Sequence, residues 1–191
     1  MRRLVIAVVL VASLAVVLGA GVAAVAVYEV RGASMAPTLA AGDLLLVNPL
    51  ERTPRRFAVV VYDTDGAATV KRVIGLPGDR VRIVSTPTSA VQVQPGGSGP
   101  WQTVVDGDGG AWPSSPHPAL TCCRADGRAS IRPAGALVPP GSYFVLGDNP
   151  AESIDSRATG FVSSPRLRGT AVLAPVAGTG GAPPRLLDPA A

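Results

Sequence analysis

A long apolar run near the N-terminus constrains this chain more than any other feature. Residues 4–28 are 25 consecutive positions without a charged side chain. As a helix rising about 1.5 Å per residue, the run would reach roughly 37 Å, enough to cross a bilayer core of about 30 Å with some tilt. A cleavable secretory signal has a shorter apolar region of about 7–15 residues. The run therefore predicts an uncleaved transmembrane anchor, with a cleaved signal as the alternative.

Charges on the two sides of the run predict its orientation. Arg2 and Arg3 precede it, whereas Glu29 offsets Arg31 after it. Positive residues favour the cytoplasmic side, so residues 1–3 are predicted to be cytoplasmic and residues 29–176 to form an extracytoplasmic domain. The chain would then be a single-pass protein of the cell membrane, with the lipid bilayer as a partner. The net charge of +4 is too small and too dispersed to predict nucleic-acid binding.

Beyond the run, the sequence predicts a mainly β fold. Short segments rich in β-branched and aromatic residues alternate with Gly, Pro, Asp and Asn turns. The predicted strands lie at 43–49, at 57–63, at 68–84 as a pair around the turn 76–79, at 141–149 and at 169–176. A Gly/Pro-rich stretch at 86–140 predicts a surface insertion that cannot hold regular structure for long, with a functional lid as the alternative. Residues 177–191 are predicted to be a disordered tail.

Few side chains are available for metal or thiol chemistry. Cys122 and Cys123 are adjacent, and they can be free thiols, a vicinal disulfide or partners of another chain. The only histidine is His117, which leaves too few ligands for a zinc site. We therefore predict no metal and no cofactor.

One basic residue stands apart from the others. Sixteen of the seventeen Lys and Arg residues are arginine, and the exception is Lys71. Arginine stays protonated in proteins, whereas burial can lower the pKa of a lysine by up to about 3–5 units. Lys71 lies in a β-branched apolar strand, one face of which can be dry. It is the candidate general base, and the alternative is an ordinary exposed lysine in a chain with biased codon usage.

Three segments in a fixed order carry a resemblance to a known family. They are SMAPTL at 34–39, KRVIGLPGD at 71–79 and GDNPAESIDSRATG at 147–160, and GDLLLVN at 42–48 follows the first. In this order, behind an apolar run, they resemble the motifs of bacterial type I signal peptidases, the S26-type membrane serine peptidases with a Ser/Lys dyad. The resemblance covers most of residues 32–160 apart from the insertion. It implies an antiparallel β-sheet catalytic domain of signal-peptidase type.

The resemblance also implies functions for single residues. Ser34 corresponds to the nucleophile and Lys71 to its general base. The Ser34 backbone amide is expected to bind the oxyanion, and Met35 to line the substrate groove. Gly32 stands where some members have a serine that also binds the oxyanion, so backbone donors would carry more of that task here.

The third segment corresponds to residues that support the dyad. Ser153 matches the serine that hydrogen-bonds and orients the lysine amine. Asp155 and Arg157 match a supporting acidic and basic pair, which we expect to be a structural, exposed ion pair of small energetic value. Residues 147–149 match the turn that leads into this motif. Pro150 and the segment Arg56-Phe57-Ala58 depart from the family pattern, which affects loop geometry and substrate preference rather than the dyad.

The predicted activity is removal of signal peptides from exported preproteins with Ala-x-Ala cleavage sites. Ser34 follows the apolar run by six positions, so it would lie within roughly 20 Å of the bilayer edge. A specialised peptidase of the same superfamily, devoted to one precursor, is an alternative. Another is a catalytically dead protein that binds signal peptides, which retention of Ser34 and Lys71 disfavours. A self-cleaving repressor is disfavoured because the anchor stands where a DNA-binding domain would be.

Overall fold

The structure is a computed structural model, which describes residues 25–85, 89–106, 109–110, 112, 122–130, 135–173 and 185–187. Strands dominate these residues, together with one short α-helix, α1 (Ser156–Thr159), and three short 3-10 helices at Pro95–Gly97, Pro150–Glu152 and Ser164–Arg166. The strands are β1 (Ala26–Glu29), β2 (Leu44–Asn48), β3 (Val59–Thr64), β4 (Ala67–Gly75), β5 (Arg80–Ser85), β6 (Ser89–Gln94), β7 (Gln102–Val105), β8 (Ala136–Leu137), β9 (Ser142–Leu146), β10 (Val162–Ser163), β11 (Leu167–Leu173) and β12 (Arg185–Leu187).

The strands form two antiparallel sheets. The larger has seven strands in the order β1-β2-β11-β3-β4-β9-β10, and the smaller has five in the order β12-β7-β6-β5-β8. Every strand pairing in the described residues is antiparallel. The prediction of a mainly β, antiparallel fold is confirmed. The five strand segments predicted from the sequence all contain strands, with ends that differ by a few residues.

Strands β3 and β4 form the hairpin that carries Lys71. Thr64 pairs with Ala67 at its tip, which leaves Asp65 and Gly66 as a two-residue loop. Both loop residues have positive φ, 47° and 87°, as a type I′ turn requires and as Asp-Gly favours. The turn fixes a register in which Lys71 lies opposite Val60.

Strand β4 is paired along only part of its second edge. Its C-terminal half pairs with β9, through Arg72 with Leu146 and Val73 with Val145. Within the described chain, residues 67–71 have β3 on one side and no strand on the other. An open strand edge therefore lies beside Lys71, and an edge of this kind can pair with an extended peptide.

The end of the predicted anchor lies in a strand. Residues 26–28, the last three of the predicted anchor at 4–28, belong to β1. Strand β1 pairs with β2, with Ala26 opposite Val47 at one end and Glu29 opposite Leu44 at the other. Half-buried and exposed residues alternate along β1, which is the strand period rather than the helix period. The predicted boundary at Tyr28 is therefore wrong, and residues 4–24 lie outside the described residues. No helix in the part of the chain that the structure describes is long and apolar enough to cross a membrane.

The predicted insertion is more regular than its composition indicated. It contributes β6, β7 and β8 to the smaller sheet, because Val91 and Val93 alternate with polar residues and are buried, as is Val104. The tail prediction is also wrong at Arg185–Leu187, which pair with β7 as β12. Cys122 and Cys123 are joined by a disulfide bond, which selects one of the three predicted alternatives, and both are buried in the core beside Ile83.

Candidate active site

Ser34 lies in the turn that follows β1. The turn is closed by the Ala36 N–H, which donates to the Ala33 carbonyl at 3.1 Å, and by the Leu39 N–H, which donates to the Met35 carbonyl at 2.9 Å. The Met35 and Leu39 side chains are buried in a core cluster with Val47 and other apolar residues. Two apolar anchors thus hold a small polar turn against the larger sheet, with Ser34 itself half-buried.

The Lys71 amine lies beside the Ser34 hydroxyl. The distance from Lys71 Nζ to Ser34 Oγ is 2.7 Å, and Nζ donates to the Val70 carbonyl at 2.8 Å. Lys71 is 3% exposed. Burial lowers the pKa of Lys71, and the carboxylates of Asp155 and Asp148 oppose part of this shift. The hydroxyl and the amine are at a distance at which a proton can pass between them.

Asp155 organises the loop that follows β9. It is fully buried and caps α1 by accepting the Arg157 N–H at 3.2 Å. It also accepts the Arg157 Nε and Nη2 donors, each at 2.7 Å, and the Gly147 N–H at 3.0 Å. Arg157 is 7% exposed. The expectation of an exposed pair is therefore wrong, because helix capping and the bidentate bond take both groups out of water.

Ser153 differs from its expected contact. Its hydroxyl donates to Asp155 at 2.7 Å, whereas the hydrogen bonds of Lys71 Nζ in the described residues go to Ser34 and Val70. The predicted hydrogen bond from Ser153 to Lys71 is not formed. The hydroxyl is turned toward the Asp155 carboxylate, which is a stronger acceptor than a neutral amine because it is charged. Ser153 therefore contacts the carboxylate that acts electrostatically on Lys71.

A second buried ion pair lies beside Lys71 and was not predicted. Arg72 Nε donates to Asp148 Oδ1 at 2.8 Å and Arg72 Nη2 to Asp148 Oδ2 at 2.5 Å. Arg72 also donates to the Phe57 carbonyl and to the Thr38 hydroxyl. The pair connects β4 to the turn after β9 and to the serine turn. Its one sequence signal was the presence of both residues in the matching segments, which does not reveal that they touch.

The turn at 147–149 packs directly against the Ser34 backbone. The Asn149 N–H donates to the Ser34 carbonyl at 3.0 Å, and Asn149 Nδ2 donates to the Ala33 carbonyl at 3.1 Å. A Cβ added at Gly147 would lie 2.5 Å from the Ser34 carbonyl oxygen and would also overlap Ser153. The turn requires glycine at this position because no side chain fits.

A groove of about 580 Å³ opens at the Ser34 hydroxyl. One wall is the stretch 27–32, which contains most of β1 and the chain after it, and the other is residues 67–71 at the open edge of β4. Ser34, Met35 and Lys71 lie among the lining residues. An extended peptide placed along this edge would pass the Ser34 hydroxyl.

Comparison with known proteins agrees with the motifs that this site contains. The chain matches the family described as "Signal peptidase, peptidase S26" over residues 1–175. It belongs to that family. Signal peptidase I of Bacillus caldolyticus is 36% identical over 151 residues, which cover 74% of this chain and 74% of the relative. Signal peptidase I V of Bacillus subtilis is 32% identical over 150 residues, which cover 74% of this chain and 80% of the relative.

Among solved structures, a signal peptidase I from Enterococcus faecalis aligns with a TM-score of 0.44 and 25% identity, covering 63% of this chain and 97% of that chain. The resemblance inferred from the three sequence segments is confirmed by the family match and by the two Bacillus relatives. Membership implies an S26-type serine peptidase, a family of enzymes that remove signal peptides.

Proposed function

We propose that this family member is a membrane-anchored endopeptidase that removes signal peptides from exported preproteins, with Ser34 as nucleophile and Lys71 as general base. The observation that carries the proposal is the 2.7 Å contact between Lys71 Nζ and Ser34 Oγ. Because burial lowers the pKa of Lys71, more of the amine is neutral near neutral pH than in an exposed lysine. A neutral amine can accept the Ser34 proton.

The reaction would proceed through an acyl-enzyme. Neutral Lys71 takes the Ser34 proton as Oγ attacks the scissile carbonyl carbon, and the carbonyl electrons move to an oxyanion that the Ser34 N–H binds. The carbon–nitrogen bond then breaks, and the Lys71 ammonium gives its proton to the leaving amine. Lys71 next deprotonates a water molecule that attacks the ester carbon. The bond between that carbon and Ser34 Oγ then breaks, and the Lys71 ammonium returns its proton to Oγ, which releases the carboxyl end of the signal peptide.

The substrate would bind as an added strand. Residues 67–71 present an open strand edge to the groove, so an extended preprotein segment can pair with it through backbone hydrogen bonds. Met35 lines the groove and is 1% exposed, which limits the depth available to substrate side chains. Small residues at the first and third positions before the cut, as in Ala-x-Ala sites, fit such a groove.

Supporting residues would act on Lys71 through charge and position. Asp155 and Asp148 raise the Lys71 pKa, opposing the effect of burial, and Arg157 lowers it. Ser153 and Arg157 both donate to Asp155, so they hold the carboxylate in place. These residues would set the pH at which the amine becomes neutral.

Membrane anchoring is part of the proposal. Residues 4–24 contain no charged side chain, and as a helix these residues would span about 31 Å, close to the bilayer core. Arg2 and Arg3 favour a cytoplasmic N-terminus, which leaves the catalytic domain on the extracytoplasmic side. In that arrangement, the groove would receive preproteins whose apolar segments are still in the bilayer.

The proposal is tested with the full chain purified in detergent and a panel of preproteins with Ala-x-Ala sites. Wild-type protein is expected to cleave after the second alanine, and Ser34→Ala to give no cleavage. Lys71→Arg keeps the charge but cannot act as a base, so it is expected to lower kcat/KM by at least about 10²–10⁴-fold. Activity of the wild type should rise with pH as Lys71 deprotonates.

The same panel separates the alternatives. Cleavage of many preproteins supports a general signal peptidase, whereas cleavage of a single precursor indicates a specialised peptidase. Binding without cleavage indicates an inactive homologue. Substantial turnover by Lys71→Arg rules out Lys71 as the base.

A further inference from the structure

Asn149 holds both carbonyl groups that flank the proposed nucleophile. Its side-chain Nδ2 donates to the Ala33 carbonyl at 3.1 Å, and its backbone N–H donates to the Ser34 carbonyl at 3.0 Å. We infer that Asn149 is a positioning residue for the oxyanion hole, acting through the peptide unit between Ala33 and Ser34. The inference rests on the proposed function, because it needs Ser34 to be the nucleophile.

In the peptide unit between Ala33 and Ser34, the direction of the carbonyl determines the direction of the N–H. The Ala33–Ser34 bond is trans, since the cis bonds of the described chain lie elsewhere. In a planar trans peptide the C=O and the N–H point in opposite directions. Fixing the direction of the Ala33 carbonyl therefore fixes the direction of the Ser34 N–H. That N–H is the donor proposed to bind the oxyanion, and it forms no hydrogen bond with the rest of the described chain.

Asn149 lies outside the residues that line the groove, so it holds the Ala33 carbonyl away from the substrate. Ser34 lines the groove, and the turn at 147–149 does not. The Ala33 carbonyl is directed at Asn149, so the Ser34 N–H on the opposite side of the same plane is directed away from that turn. The bond from Asn149, together with the Ala36 N–H that donates to the same carbonyl at 3.1 Å, thus holds the Ser34 amide free to meet a substrate oxygen. A hydrogen bond accepted by a peptide carbonyl also makes the N–H of that peptide a stronger donor.

Asn149 is itself held in place. Its carbonyl accepts the Glu152 N–H at 3.2 Å, and the next residue, Pro150, is buried. Arg157 Nη2 donates to the Pro150 carbonyl at 3.3 Å. The turn before it cannot shift toward Ser34, because Gly147 already leaves no room for a Cβ. The backbone at Asn149 is therefore fixed, so its side-chain amide reaches the Ala33 carbonyl from a set position, as preorganisation of an oxyanion hole requires.

The test is Asn149→Ala in the full chain in detergent, with Glu152→Ala, in the 3-10 helix that follows the turn, as the matched control. Glu152 is exposed, so its replacement should leave kcat unchanged. Loss of an oxyanion donor itself costs about 10²–10³ in kcat, so loss of its positioning partner is expected to lower kcat by roughly 10–100-fold. KM and the pH at which activity rises should not move, because the Asn149 side chain does not contact Lys71.

A second measurement separates positioning from general disturbance of the fold. An Ala-x-Ala peptide aldehyde reacts with Ser34 Oγ to form a tetrahedral adduct, and the former aldehyde oxygen then lies in the oxyanion hole. The matching peptide alcohol forms no such adduct. Asn149→Ala should weaken the aldehyde by the same factor as kcat and leave the alcohol unaffected. Thermal unfolding checks that the variant is folded. If Asn149→Ala is unfolded, Asn149→Asp is used in its place, because aspartate has the shape of asparagine but lacks the N–H donor. Its kcat is compared with that of the wild type at the high-pH plateau.

Three results would overturn the inference. They are an unchanged kcat in a folded variant, a fall in kcat accompanied by a displaced pH profile for Asn149→Ala, and equal weakening of aldehyde and alcohol. Absence of cleavage by the wild type, or cleavage that persists in Ser34→Ala, would instead overturn the proposed function itself. The two failures are therefore distinguishable in one set of assays.

Discussion

Lys71 Nζ has two hydrogen-bond partners within the described residues, the Ser34 hydroxyl and the Val70 carbonyl. An ammonium has three N–H donors and no acceptor, whereas a neutral amine keeps a lone pair that can accept the serine proton. Taking an ammonium out of water without full pairing is costly. The surroundings of Lys71 therefore disfavour its charged form, and the same effect that destabilises the folded chain would prepare Lys71 to act as the proposed base.

This cost predicts that Lys71→Met stabilises the protein while abolishing cleavage. Removing a buried amine of lowered pKa should raise stability by about 0.5–2 kcal/mol. The folded pKa is below the unfolded one, so the wild type gains stability as pH rises between the two values, up to about 10.4. The difference between variant and wild type should therefore be larger at about pH 6 than at about pH 9, as measured by Tm in detergent.

Ser34→Ala is the control for that measurement. It is also expected to be inactive, but it keeps the buried amine, so its Tm, unlike that of Lys71→Met, should still rise with pH. A Lys71→Met protein that is less stable than the wild type at low pH would contradict the account of the buried amine.

Two buried charged pairs lie among the elements that converge on the site, and the first of them joins two elements. Arg72 on β4 binds Asp148 in the turn after β9, and Arg157 binds Asp155 at the start of α1. All four residues are buried. Breaking such a pair by removing one partner leaves an uncompensated charge in the interior.

Asp148→Asn should accordingly destabilise the chain by about 3–5 kcal/mol. For a chain of this length the loss corresponds to a fall in Tm of about 6–20 °C. Because Asp148 raises the Lys71 pKa, the change should also lower that pKa, and the rise of activity with pH should move to lower pH. Thermal unfolding and a pH profile of kcat/KM measure the two effects.

The matched control is Asp63→Asn, which removes one partner of the partly exposed pair between Asp63 and Arg168. Its Tm should change little, since such pairs are screened by water. The double variant of Asp148→Asn with Arg72→Met should be less destabilised than Asp148→Asn alone, because it leaves no unpaired charge. A Tm for Asp148→Asn equal to that of the wild type would show that the buried pair has no structural importance.

The sequence was sufficient to identify residues whose chemistry is rare in this chain. It was insufficient to predict contacts that depend on strand register. Lys71 was identifiable because it is the only lysine, and Ser34 because it lies in a matching segment. The contact between Arg72 and Asp148 joins residues 76 apart and depends on how β4 aligns with β9. Ser153 was assigned the wrong partner for a similar reason, since nothing local indicates that a buried carboxylate lies closer than the amine.

Composition also concealed strands. Gly and Pro in residues 86–140 suggested a surface insertion, although SAVQVQ at 89–94 alternates polar and apolar residues as β6 requires. Strand β12 has only three residues and is formed by pairing with β7. Such a segment has no signal of its own, because its conformation depends on a partner about 80 residues earlier in the chain.

For the whole chain, the described fold begins where the proposed anchor ends. A protein lacking residues 2–24 keeps every described element and should cleave a short soluble Ala-x-Ala peptide at about the wild-type rate. Its processing of a preprotein held in lipid vesicles should fall by about 10²–10⁴-fold, because the shared membrane no longer raises the effective concentration. Cleavage assays with the two substrates measure the difference.

The control is the same deletion with an unrelated apolar helix of 21 residues in place of the original. It should restore processing in vesicles, since the anchor would act as a tether and not as part of the site. Loss of peptide cleavage on deletion would instead show that residues 2–24 contribute to the catalytic fold.

Strand β1 lies at the edge of the larger sheet, and residues 27–30 of the same stretch form one wall of the groove. If the proposed membrane helix ends just before β1, this strand would act as a spacer between the bilayer and the site. The distance from lipid to the point of cutting would be fixed by a stiff sheet edge and would not vary with a loose linker. Precursors would then be sorted by how far their own cleavage bond stands above the bilayer, a selection by height that acts alongside the selection by side-chain size.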